Sequence, residues 1–199
     1  MNNTINIKSV FSSRWIWAAT LVVAVVIGFC VSYAWASITC TGGVCNGTNG
    51  PDTMIGSSGP DTISGLDGND YVYGNDGNDI VRGNAGADQW VGGNDGVDDV
   101  YGGPGNDPDV HGGPGDDRAD LNRGVYGGAG NDFVYGDGGY DTLWGDDGKD
   151  NLDGGAENNG LRAVDGEQDW LYGGDGTNNY CWYDSALDYR LRCNTNFPS

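Results

Sequence analysis

From Gly47 to Val91 the chain keeps a nine-residue period: GTNGPDTMI, GSSGPDTIS, GLDGNDYVY, GNDGNDIVR and GNAGADQWV. Each unit has Gly first and fourth, Asp sixth and an apolar residue eighth. A unit this short cannot enclose a core alone. It must stack on its neighbours, and the chain must be a solenoid.

The period continues with interruptions. Gly92 reads as one extra residue before GNDGVDDVY (Gly93 to Tyr101), and Pro108 or its neighbour lengthens the unit from Gly102 to His111. GGPGDDRAD (Gly112 to Asp120) has Ala119 at the apolar place, and Leu121 to Tyr126 reads as an insertion. Three clean units follow, GGAGNDFVY, GDGGYDTLW and GDDGKDNLD, up to Asp153. The pattern then decays, with Asn159 and Asn178 at the Asp place and Asp169 in a lengthened unit. The array closes at Cys181, and Trp182 to Ser199 reads as a cap outside the repeat.

A nonapeptide divides into a six-residue turn and a three-residue strand. The turn needs the left-handed backbone that Gly tolerates, and Asn accepts it better than most residues. Glycine every third or fourth residue also excludes helix. The eighth residues Met54, Ile63, Val72, Val81, Trp90, Val100, Val134, Leu143 and Leu152 are expected to point inward between two facing sheets. Two units make one 18-residue coil. Asp52, Asp70 and Asp88 then stack along one edge and Asp61, Asp79 and Asp98 along the other, one strand spacing of ~4.8 Å apart. Carboxylates that close repel in a partly buried turn. Calcium reverses the sign, because it takes 6–8 oxygen ligands and a Gly-Asp turn offers only oxygens. Magnesium suits such a site less well, because it prefers strict octahedral geometry and keeps its waters.

These units resemble the haemolysin-type calcium-binding repeat, the RTX nonapeptide GGxGxDxUx, over roughly Gly47 to Cys181. The resemblance implies an all-β parallel β-roll with several calcium ions between its turns and folding that depends on them. Carried over position by position, the metal ligands are Asp52, Asp61, Asp70, Asp79, Asp88, Asp98, Asp107, Asp117, Asp132, Asp141, Asp150 and Asp169. Sites at Asn159 and Asn178 are expected to be weak or empty, and the best-formed sites are expected in the unbroken run from Gly47 to Val91. Many relatives export through a C-terminal signal and append the repeat to a catalytic or pore-forming domain; neither feature is evident here.

The N-terminus suggests a different export route. Lys8 and Arg14 precede an apolar run from Trp15 to Cys30, and Ala34-Trp35-Ala36 supplies an A-x-A site. Together they read as a secretory signal, residues 1–36, cut after Ala36. The alternative is an uncleaved membrane anchor, since Trp15 to Ala36 reaches the ~20 residues that span a bilayer. Either way the repeats are expected outside the cytoplasm of a bacterial cell, as a secreted, periplasmic or surface protein.

The formal net charge is −20, and loss of Lys8 and Arg14 with the leader makes the remainder more negative. Nucleic acid is excluded as a partner, because phosphate binding needs Lys and Arg. Beyond the leader, Cys40 and Cys45 flank the array at one end and Cys181 and Cys193 at the other. About seven coils separate the two ends by roughly 30 Å, and a disulfide requires Cα atoms within about 7 Å. The expected bridges are therefore Cys40–Cys45 and Cys181–Cys193, closing caps at residues 37–46 and 182–199.

Nothing suggests an enzyme: His111 is the only histidine, and no G-x-S-x-G or H-E-x-x-H occurs. Strand alternation turns Tyr71, Tyr73, Tyr101, Phe133, Tyr135, Trp144, Trp170 and Tyr172 outward. They read as a cross-strand ladder that stabilises the sheet; the alternative is an adhesive face for a surface glycan or protein.

Overall fold

The computed structural model describes residues 36–117, 124–184 and 186–198; the expected export segment lies outside these, apart from Ala36. The described residues contain strands, turns and bends and no helix. In chain order the strands are β1 (Ala36–Thr39), β2 (Gly43–Asn46), β3 (Asp52–Ile55), β4 (Asp61–Asp67), β5 (Tyr71–Tyr73), β6 (Ile80–Ala85), β7 (Trp90–Gly92), β8 (Asp99–Pro104) and β9 (Val110–Pro114). They continue as β10 (Val125–Ala129), β11 (Phe133–Gly138), β12 (Thr142–Asp147), β13 (Asn151–Asp153), β14 (Gly160–Ala163), β15 (Trp170–Tyr172), β16 (Tyr180–Tyr183), β17 (Tyr189–Leu191) and β18 (Thr195–Pro198). Odd-numbered strands form one nine-stranded sheet and even-numbered strands the other, each in coil order. Every pairing is parallel, as in β3 to β5 and β4 to β6. This is the expected parallel β-roll.

The core is two facing columns, one apolar residue per strand. Met54, Val72, Val91, Val110, Val134, Leu152 and Leu171 fill one side; Ile63, Val81, Val100, Val125, Leu143, Leu161 and Cys181 fill the other, all at 0–2 % exposure. Burying one such side chain stabilises by roughly 1.5–3 kcal/mol. The strands run from three to seven residues, many longer than the expected three, and none that short has stability alone, so the columns hold only as a stack.

Two corrections to the sequence register, at Gly92 and at Leu121 to Tyr126, share a cause, while the extra residue at Pro108 or its neighbour is found as expected. Val91 rather than Trp90 enters the core, and Val72 pairs with Val91. The extra residue is therefore not Gly92; it lies between Asp88 and Val91. There the N–H groups of Gln89 (2.8 Å) and Trp90 (3.4 Å) both point at the Asp70 carbonyl, the signature of a bulge. At the next coil the extra residue lies between Asp107 and Val110, where Pro108 has no N–H to leave unpaired. The third insertion falls between Asp117 and Gly124. Val125 and Tyr126, expected inside it, belong to β10, and Val125 takes the apolar place expected of Ala119, which lies outside the described residues. Coil length is accordingly 18 residues in regular stretches, 19 across each bulge, 24–25 across residues 118–123, and 19–20 in the last coils, where the turns before Asp169 and Asn179 are each one residue longer.

The strand pairing continues past both expected ends. β1 and β2 pair with β3 and β4, and β17 and β18 pair with β15 and β16, so the flanking segments extend both sheets. Cys40–Cys45 and Cys181–Cys193 are bridged as expected, with Cα separations of 5.8 and 5.7 Å.

Outward aromatics stack at the coil spacing. Tyr101, Tyr126 and Trp144 lie face to face at 4.8 and 4.4 Å, with Arg82 over Tyr101. On the other sheet Tyr73, Trp90, His111 and Tyr135 stack at 5.9, 4.3 and 4.6 Å. Trp90 enters this row by lying across Gly92, where a Cβ would come within 2.6 Å of its Nε1. Of the expected ladder, Tyr73, Tyr101, Tyr135 and Trp144 stand in these rows.

Each core residue touches a neighbour above and below, so a truncation inside the stack cannot be absorbed by local collapse. Leu143→Ala should lower the unfolding free energy of the folded chain by about 2–5 kcal/mol in urea. A loss under 1 kcal/mol would show that the columns do not carry the fold.

Candidate metal centre

Each coil turns twice, and each turn delivers its sixth residue to an edge of the roll just before a strand begins. The two edges are continuous through both bulges and the insertion. One carries Asp52, Asp70, Asp88, Asp107, Asp132, Asp150 and Asp169; the other carries Asp61, Asp79, Asp98, Asp117 and Asp141. The twelve aspartates picked out by the repeat are thus all brought into the two ladders. All are 0–3 % exposed.

The linkage within a ladder is uniform. The backbone N–H of each ladder aspartate donates to Oδ1 of the ladder residue one coil on, as from Asp70 to Asp88 at 2.9 Å and from Asp98 to Asp117 at 2.7 Å. This hydrogen bond fixes the carboxylate plane and satisfies one oxygen. The other oxygen, Oδ2, is buried without a hydrogen-bond partner in Asp70, Asp79, Asp88, Asp98, Asp107, Asp117, Asp132, Asp141, Asp150 and Asp169. A buried anionic oxygen left bare is strongly unfavourable.

Those bare oxygens converge with carbonyls. At the first glycine of a unit, a Cβ would lie 2.6 Å from Asp79 Oδ2 at Gly74 and 2.7 Å from Asp107 Oδ2 at Gly102. It would also meet the carbonyl of the first glycine one coil on, as at Gly65 with Gly83 O (2.6 Å) and at Gly127 with Gly145 O (2.8 Å). The first glycine is required because oxygens occupy the space of its side chain. Among the described residues no three His, Cys, Asp or Glu side chains cluster as a metal group. A bound ion must therefore take much of its shell from carbonyls, which is the habit of a hard cation such as calcium.

Burial sets the protonation of the ladder. Desolvation, partly countered by the hydrogen bond from the preceding coil's N–H and augmented by neighbouring carboxylates, pushes Asp70 and Asp79 up to about 6 and Asp88 to about 7. It pushes Asp98, Asp107, Asp141 and Asp150 to about 8. An acid raised this far demands a proton or a cation at neutral pH.

Four matches to the family model for the RTX calcium-binding nonapeptide repeat cover residues 46–81, 55–90, 73–107 and 126–161. The chain belongs to the RTX calcium-binding repeat family. No curated protein and no solved structure matches it. Eight of the ten bare Oδ2 atoms lie within the matched RTX stretches, and those of Asp117 and Asp169 lie outside them.

Three placements differ from the sequence register. Asn178 is exposed, and its neighbour Asn179, at 0 % exposure, takes the ladder position, accepting the Asn159 N–H at 2.8 Å. Asp188, unassigned by the repeat, continues the other ladder: its Oδ1 accepts the Asp169 N–H at 3.1 Å. No glycine marks its turn, and Arg190 stands in the apolar place opposite Leu171. Only its spacing of 19 residues from Asp169 could have revealed it. Third, the opening turns of the unbroken run are partly closed by protein. Asp52 Oδ2 accepts the Thr48 hydroxyl at 2.9 Å, and Asp61 Oδ2 accepts the Ser57 N–H and hydroxyl at 2.7 and 2.8 Å. Their bare oxygen is Oδ1.

The raised acids give a pH dependence of known sign. Between the unfolded value near 4 and the folded values of about 6 to 8, the folded chain binds more protons than the unfolded one, so its stability falls as pH rises. In the calcium-stripped chain, strand content by circular dichroism should therefore rise as pH is lowered from 8 to 5, because protons then neutralise the ladder. Strand content that stays level or falls on acidification would contradict the buried ladder.

Proposed function

We propose that this chain is an exported, non-catalytic calcium-binding roll whose folding is driven by several ions held along the two aspartate ladders. The observation that carries this reading is the set of ten buried carboxylate oxygens with no donor along the two ladders, eight of them within matched RTX units. Asp70, Asp79, Asp88, Asp98, Asp107, Asp117, Asp132, Asp141, Asp150 and Asp169 would hold the metal through Oδ2, and Asp52 and Asp61 would offer Oδ1. Bound calcium supplies the positive charge that a stack of buried anions lacks.

The protein's own contribution is to aim one oxygen of each carboxylate, fixed through the other by the neighbouring N–H. Affinity in the extracellular range of roughly 10⁻⁴ to 10⁻³ M would leave the chain unfolded during export and closed outside. The two disulfides fit an extracellular setting. The export reading itself rests on the charged, apolar and A-x-A segments before Ser37. RTX repeats are typically structural, which agrees with the lack of a catalytic constellation in the sequence.

Removal of calcium is the direct test. Excess chelator at pH 7.5 should abolish the strand signal in circular dichroism and the cooperative thermal transition, and added calcium should restore both. Unchanged spectra and melting under chelator would refute calcium-driven folding.

A second reading, surface adhesion through aromatics, has one specific support. Beyond the long ladders, Phe133 and the stacked pair Trp170 and Tyr189 are 42, 54 and 53 % exposed. They border a groove of about 420 Å³ on the odd-numbered sheet, with Asn151 between Phe133 and Trp170. A calcium-loaded sample on a glycan array should then show binding that Trp170→Ala removes; a blank array would count against adhesion to glycans.

A further inference from the structure

The last two turns of one edge differ from every other in chemistry and not only in charge. Asn159 occupies the ladder as an aspartate does, its Oδ1 accepting the Asp141 N–H at 2.8 Å. Its second atom is a nitrogen, and Nδ2 donates to the carbonyls of Gly154 at 2.6 Å and Ala156 at 2.7 Å. Asn179 repeats the arrangement one coil on, with Nδ2 facing the carbonyls of Gly174 at 3.4 Å, Gly176 at 3.3 Å and Arg192 at 3.2 Å. The nitrogen thus stands where the aspartate turns present a bare Oδ2, and it satisfies turn carbonyls five and three residues upstream. An amide NH₂ carries partial positive charge and two donors, so it meets those carbonyls as a cation would.

We propose that Asn159 and Asn179 are built-in replacements for calcium, so that these two turns are closed by the chain itself and bind no ion. The inference rests on the calcium reading above and goes beyond it by assigning which turns are metal-free. The two edges then differ at the C-terminal end of the roll. Asp150 and Asp169 keep bare oxygens on one edge, while the opposite edge changes from metal-dependent to metal-independent after Asp141. The fit is not a matter of missing charge alone. An alanine in place of asparagine would leave the Gly154 and Ala156 carbonyls without a donor, and an aspartate would restore the oxygen cradle.

Ion counting by native mass spectrometry on the calcium-loaded full chain tests this. Asn159→Asp should carry one more calcium than the wild type, Asn159→Ala the same number, and the reference Asp98→Asn one fewer. A calcium-loaded wild type together with an unchanged count for Asn159→Asp, or a count one ion short for Asn159→Ala, overturns this inference alone. A wild type that takes up no calcium overturns the calcium reading on which it rests. The two failures are distinguished by the wild-type spectrum.

Discussion

The fold depends on one hydrogen bond repeated from coil to coil: the N–H of a buried aspartate donating to Oδ1 of the aspartate in the next coil. It holds the carboxylates in register and sets the height of each coil. It also creates the difficulty that governs the protein. Aligning the acids by one oxygen leaves the other buried and bare, and stacks like charges a strand spacing apart. Hydrophobic columns one residue wide offer little to offset that cost. Positive charge is therefore a structural component of this architecture, whether it comes as protons, metal ions or the amide of an asparagine.

The outer surface follows the same vertical logic. Side chains on the faces stack with their counterparts one coil away, so Tyr126 lies between Tyr101 and Trp144, and His111 between Trp90 and Tyr135. Asn106 and Asn131, at the fifth position, add a polar ladder outside the acidic one, each side-chain oxygen accepting the N–H one coil on. Core, acid ladder, amide ladder and aromatic row each repeat at one height, and a disturbance of that height would be felt in all of them. The His111 imidazole, within this stack, lies in hydrogen-bond contact with Asp137 at 2.8 Å.

Much of this was legible in the sequence because a short exact period leaves few geometries. Gly first, Gly fourth, Asp sixth and an apolar eighth specified the roll, both ladders and, through the distance between its ends, both disulfides. What the period could not show was how irregular units are absorbed. Counting from the front of a unit placed Trp90 inside and Asn178 in the ladder, whereas the chain slips within the unit and brings in Val91 and Asn179. Asp188 was hidden for another reason. Its turn has lost the glycines and apolar residue that make a repeat visible, and keeps only the spacing and the carboxylate.

The places where the chain slips have a consequence for how such proteins diversify. Whereas the single extra residues before Asp169 and Asn179 lie in the preceding turn, the bulges after Asp88 and Asp107 and the longer excursion after Asp117 lie between the ladder aspartate and the core residue that follows it. That stretch is a joint: the acid is tied to its neighbours above and below, the apolar residue is tied to its own column, and the chain between them is free to lengthen. One residue or half a dozen can be accommodated there without moving a ligand or opening the core. New loops, and whatever recognition they come to carry, can thus be acquired at the sixth-to-eighth joint of any unit while the mineral-like repeat beneath them remains unchanged.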